Sequence, residues 1–85
     1  MKIFYIYKTL IKISMVFNNS NQAFQWLIDN PEKRLYDQYG NYVIYNPNST
    51  YIEYHYEIDF WTWDFDEMEE DEFIIQFKNK ELSIE

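Results

Sequence analysis

The run "TYIEYHYEIDFW", residues 50–61, alternates at period two along nearly its whole length. Ile52, Tyr54, Tyr56, Ile58 and Phe60 fall on one face, and Glu53, His55, Glu57 and Asp59 fall on the other. Successive side chains of a strand point to opposite sides of a sheet. The run therefore reads as a half-buried antiparallel strand with an acidic outer face. The remaining segments have to supply what pairs with it and what covers it.

Turn chemistry brackets the neighbouring strands. Asp37 to Asn41, around the chain's single glycine Gly40, marks one hairpin, and Asn46-Pro47-Asn48-Ser49 marks another. The opening "MKIFYIYKTLIKISMVF" also separates at period two. Ile3, Tyr5, Tyr7, Ile11, Ile13, Met15 and Phe17 lie on odd positions, against Lys2, Lys8, Lys12 and Ser14 on even ones, so one long strand is expected there. The same lysines break the apolar run, and no small-residue cleavage site follows, so neither a signal peptide nor a membrane span is expected.

"NNSNQAFQWLIDNPEK" is the clear helix. Ser20 is expected as its N-cap, Phe24, Leu27 and Ile28 as its apolar stripe flanked by Ala23 and Trp26, and Asn30-Pro31 as its stop. After Trp63 the alternation weakens. Asp64 followed by Glu67 fits a capping box, which predicts a short acidic helical turn through Glu70. "EFIIQF", residues 72–77, then reads as a final strand, and "KNKELSIE" as a strand end or tail. Together these predict one α+β domain over residues 1–85: a mostly antiparallel sheet of four to five strands with one amphipathic helix on one face.

Charge narrows the function. The net charge is −8, and residues 53–72 hold ten of the fifteen acids with no Lys or Arg. Nucleic-acid binding needs a cationic surface, so direct contact with DNA or RNA is not expected, whereas a basic protein partner is. A solvated face that keeps the protein soluble is the competing reading of the same block. The chain has no Cys, which removes disulfides and thiol chemistry and suits a reducing cytoplasm.

Catalytic equipment is thin. One His, no Cys and a single glycine leave no nucleophile–base set and no phosphate-cradling loop, so no enzyme, cofactor or catalytic residue is expected. Glu53, His55 and Glu57 sit about 6.7 Å apart per step on one strand face and could hold a cation with Asp59. A lone His held by neighbouring carboxylates is the favoured reading, and no metal is expected. The aromatics say more. Nine Tyr, seven Phe and three Trp are too many for so small a core, and Trp61 and Trp63 adjoin the acidic block, where core packing and an interface are both open.

This short, acidic, Cys-free and aromatic-rich chain resembles the small anti-defence proteins of bacteriophages, with anti-CRISPR inhibitors and other DNA mimics nearest. "AFQWLIDNPEKRLYDQYGNYVIY" (23–45) with "MEEDEFIIQ" (68–76) is also similar in layout to a family of small phage proteins. That family combines an amphipathic helix, a basic turn, a strand and an acidic-aromatic ending, and includes the Thoeris anti-defence proteins that sequester signalling nucleotides. Ala23, Leu27, Lys33 and Arg34 fit the helix and turn, and Asp71 and Phe73 fit the ending. The family's Gly and Trp after the basic turn are missing here.

The resemblance implies a non-enzymatic inhibitor of a CRISPR or other host defence nuclease. In that role Asp64, Asp66, Glu67, Glu69, Glu70, Asp71 and Glu72 would stand in for phosphates, Glu53, Glu57 and Asp59 would extend the strip, and Trp61 and Trp63 would anchor it. A nucleotide sponge using Lys33 and Arg34, and a module that self-associates as a homodimer through its exposed rings, are the alternatives.

Overall fold

The computed structural model describes residues 16–84. They form β1 (Val16–Phe17), α1 (Ser20–Asp29), β2 (Leu35–Tyr36), β3 (Tyr42–Asn46), β4 (Tyr51–Asp59), β5 (Thr62–Met68), α2 (Glu70–Gln76) and β6 (Leu82–Ser83). All strands join one antiparallel sheet in the order β1-β6-β2-β3-β4-β5. The fold is α+β, as expected. Of the long N-terminal strand, only Val16 and Phe17 lie within the described residues, so the expectation for residues 1–15 falls outside them.

The cap of α1 lies one residue before the expected one. The Asn19 side chain accepts the backbone N–H groups of Asn21 and Gln22 at 2.8 and 3.3 Å, satisfying two donors that the first turn leaves open. Ser20 is instead the first helical residue. It is buried, and its hydroxyl donates to the Ile74 carbonyl at 2.9 Å. The buried stripe runs Ser20, Ala23, Leu27, with Phe24, Trp26 and Ile28 half-buried at its edges. Asn30 then closes the helix, its side chain donating to the Trp26 carbonyl at 2.8 Å before Pro31 stops it.

Both helices cover the same sheet face. Leu35, Val43, Ile52, Met68 and Leu82 meet Ala23 and Leu27 from α1, and Phe73 and Phe77 at α2. Each large side chain fully buried this way contributes about 1.5–3 kcal/mol. Phe77 meets Tyr54 edge-on at 5.3 Å, which brings the end of α2 onto the middle of β4.

The second half departs from the sequence reading. Residues 62–68 are strand, not a helical turn, and the segment expected as a final strand lies largely in α2. Pairing with β4 decides the first, because it gives Trp63 and Phe65 one face and Asp64 and Asp66 the other. In the second, four apolar residues among six, Phe73, Ile74, Ile75 and Phe77, fit either a strand or a helix by pattern alone. Glu70, Asp71 and Glu72 in the first turn favour a helix N-terminus, and the capping box is Glu69 with Glu72, not Asp64 with Glu67. The described sheet therefore has six strands with two helices, where four to five strands and one helix were expected. "KNKELSIE" supplies β6, which fills the position between β1 and β2.

Candidate functional site

β3 pairs with β4 only from Tyr51 to His55, whereas β5 follows β4 out to Asp59. Residues 56–59 and their β5 partners therefore project beyond β3 as a two-stranded arm, by about 13 Å for four residues of strand. Register slips between Glu57 and Asp59, so Ile58 is an extra residue in β4. Such a bulge sharpens the local twist. Asp59 pairs with Thr62, leaving Phe60 and Trp61 as the loop, and neither takes a positive φ.

That arm carries its apolar side chains in the open. Trp61 is 86% exposed, Phe60 80%, Ile58 57% and Trp63 50%. Glu57, Asp59 and Asp64 surround them, also exposed. The Trp61 backbone N–H donates to the Asp59 carboxylate at 3.0 Å. That bond, with hydrogen bonding from Thr62, holds the Asp59 carboxyl below its ordinary range. Trp61 and Trp63, for which core and interface were both open, belong to the surface.

The root of the arm is stiffened on the sheet face away from the two helices. Tyr36, Tyr42, His55 and Phe65 stand in one row across four strands. The Arg34 guanidinium lies 4.1 Å from the Tyr42 ring centroid, Tyr42 stacks on His55 at 4.8 Å, and His55 on Phe65 at 4.9 Å. These centroid separations match the spacing between strands, so the planes stand side by side like upright plates. Trp63 leans onto the same row, 6.0 Å from Tyr42.

Glu53 departs most from its expected role. It is 8% exposed, and its carboxylate accepts from Asn46 Nδ2 and His55 Nε2, each at 2.9 Å. Burial pushes its carboxyl up, but the hydrogen bonds from Asn46 and His55 and the charge of the imidazole outweigh that and hold it below the usual range. Glu53 therefore fastens the sheet and is not offered to a partner.

The acidic block is not one strip. Cross-strand partners share a face, so Glu57 and Glu67 lie on the face away from the helices with Trp63 and Phe65. Asp64 and Asp66 lie on the helix side, where the Tyr56 hydroxyl donates to Asp66 at 3.3 Å. Glu69, Glu70, Asp71 and Glu72 open α2 at the far end of β5, about 20 Å from the tip by strand rise. Among these, Glu72 accepts the Glu69 backbone N–H at 3.5 Å and Asp71 accepts the Glu72 N–H at 3.0 Å, so they also shape the helix start.

The tip residues that sequence reasoning assigned to a buried face are Ile58 and Phe60. Neither Phe60 nor Trp61 is a turn-forming residue type, so no local signal marks them as the loop between Asp59 and Thr62. Among the described residues, no group of three or more His, Asp or Glu side chains gathers to hold a metal ion. No helix among them is long and apolar enough to cross a membrane. No family model, curated protein or solved structure matches this chain.

Proposed function

We propose that this chain is a non-enzymatic inhibitor, phage-encoded and acting in the host cytoplasm. It binds a basic nucleic-acid-binding site on a host defence nuclease, in the manner of an anti-CRISPR protein. The observation that carries this reading is the arm. It sets four exposed apolar side chains, Ile58, Phe60, Trp61 and Trp63, at the end of a braced hairpin ringed by carboxylates. Exposed Trp and other large rings are costly to leave in water and are the residue types that anchor interfaces. Carboxylates around them favour a cationic rim on the partner and speed its approach.

The division of labour differs from a simple phosphate mimic. The rings enter an apolar cleft, and Glu57, Asp59, Asp64, Asp66 and Glu67 meet Lys and Arg at its mouth. The acids at the start of α2 reach a second basic patch on the same groove.

The test is a pull-down from nuclease-treated bacterial lysate, with the full chain as bait, salt-gradient elution and mass spectrometry. A basic nuclease is expected, released at moderate salt and absent when the bait carries Phe60→Ala with Trp61→Ala. Capture that ignores those substitutions would sink the arm as the binding element. A nucleotide released by heating the purified protein would favour the sponge instead.

A further inference from the structure

Among the described residues β5 is the last strand of the sheet, with β4 as its one strand neighbour. Two contacts show which of its backbone groups face outward. The Glu57 N–H reaches across to Asn41 Oδ1 at 3.1 Å, on the β3 side of β4. The Phe65 N–H donates to Asp64 Oδ1 at 2.8 Å. Both amides point away from the β4–β5 ladder. The pairs Glu57–Trp63 and His55–Phe65 are therefore the kind that exchange no backbone bonds. Alternation along the ladder then turns the N–H and C=O groups of Trp63, Phe65 and Glu67 to the open edge.

The side chains along that edge are sorted by face. Trp63 and Phe65, 50% and 46% exposed, lie on one side, and Asp64 and Asp66 on the other. An open edge of this kind is a template for another strand. We propose that β5 is a docking edge for an extended segment of the partner, one with Lys or Arg at alternate positions and aliphatic residues between. This rests on the reading above only in taking the partner to be the basic protein.

The segment adds antiparallel to β5. Its cations face Asp64 and Asp66, and its aliphatic side chains cover Trp63 and Phe65. When a partner carbonyl takes the Phe65 N–H, the Asp64 carboxylate that now covers it is released to a partner cation. A second copy of this chain fits poorly. Symmetric antiparallel pairing centred on Phe65 would set Asp64 against Asp66 of the other copy, like charge opposite like.

The test uses the full chain and two capped heptapeptides of one composition, with valine and lysine either alternating or in two blocks. Binding is followed by calorimetry and by exchange of the backbone amides. The alternating peptide is expected to bind about tenfold more tightly and to slow exchange at Trp63, Phe65 and Glu67. N-methylation of its valines, whose backbone groups face β5 in antiparallel pairing, should abolish binding, and N-methylation of its lysines should not. Equal binding by both peptides, binding by neither, or indifference to valine N-methylation overturns the docking edge. A basic nuclease captured by the arm but not displaced by the alternating peptide also overturns it, and leaves the inhibitor reading standing. Peptide docking as described, with no basic partner captured, supports the edge and sinks the inhibitor reading.

Discussion

The Asp59 carboxylate accepts the Trp61 backbone N–H at 3.0 Å, so an acid beside the arm's tip also sets the loop that presents its most exposed ring. One residue thus has two separable jobs. Asp59→Ala removes both the charge and the acceptor, whereas Asp59→Asn removes the charge and keeps an acceptor oxygen. Backbone relaxation measured on Phe60 and Trp61 should show a loosened loop in the first variant and a wild-type loop in the second. The urea midpoint should barely move in either, because the tip is exposed and covers none of the core. Equal loosening in both variants would mean that charge, not the hydrogen bond, orders the tip.

Glu53 gives the fold a defined acid sensitivity. Its carboxyl titrates lower in the folded chain than in the unfolded one, so the unfolded state takes up its proton first as pH falls. Its contribution is complete above the unfolded pKa of about 4.3 and is lost as pH drops through the lower, folded value. Glu53→Gln keeps the shape and removes the titration. Wild type should exceed this variant in urea midpoint at pH 6, and the gap should close below about pH 4. A gap of the same size at pH 3 would show that the loss is steric.

Much of this architecture was legible, and its failures share a cause. The β4 alternation as far as Glu57, before the bulge at Ile58 puts Asp59 out of phase, the Gly40 hairpin, the Asn46-Pro47 turn and the stop at Asn30-Pro31 agree with the sequence reading, because each depends on residues close in sequence. Residues 62–77 were misread because their state is set by β4 and the core. β5 is strand because β4 lies beside it, and Phe73 with Phe77 make a helical face only once Leu27 and Tyr54 are there to receive it. The site divides the same way. Trp61, Trp63 and the acids were picked out from the sequence. The burial of Glu53 and the exposure of Ile58 and Phe60 follow from where β3 ends, which alternation along β4 does not encode.

Ser20 links the two helices. Its buried hydroxyl serves the Ile74 carbonyl, which lies in the last turn of α2, where carbonyls lack helical partners. Ser20→Ala leaves that oxygen without its donor and should lower stability by about 1–2 kcal/mol, read as a lower urea midpoint at unchanged slope. Asn19→Ala should cost about 1 kcal/mol through the lost cap of α1. The Ser20 variant should also speed amide exchange in α2, which the Asn19 variant should leave alone. Equal exchange in α2 for both would place the bond outside the forces that hold that helix down.

The arm and its acids should act on different halves of binding. Charges at the rim steer the encounter, and rings that become desolvated in the complex set how long it lasts. Against the captured partner in a surface-binding experiment, Asp66→Asn with Glu67→Gln should slow association several-fold at low salt, and the deficit should shrink as salt screens the wild-type charges. Dissociation should change little. Trp61→Ala should leave association nearly intact and speed dissociation about thirtyfold, the equivalent of a 2 kcal/mol anchor. The opposite pattern, slow association from the tryptophan variant and fast dissociation from the acidic one, would mean that the carboxylates are the buried contacts and Trp61 remains in water. The inhibitor would then be a charge mimic with an incidental aromatic tip.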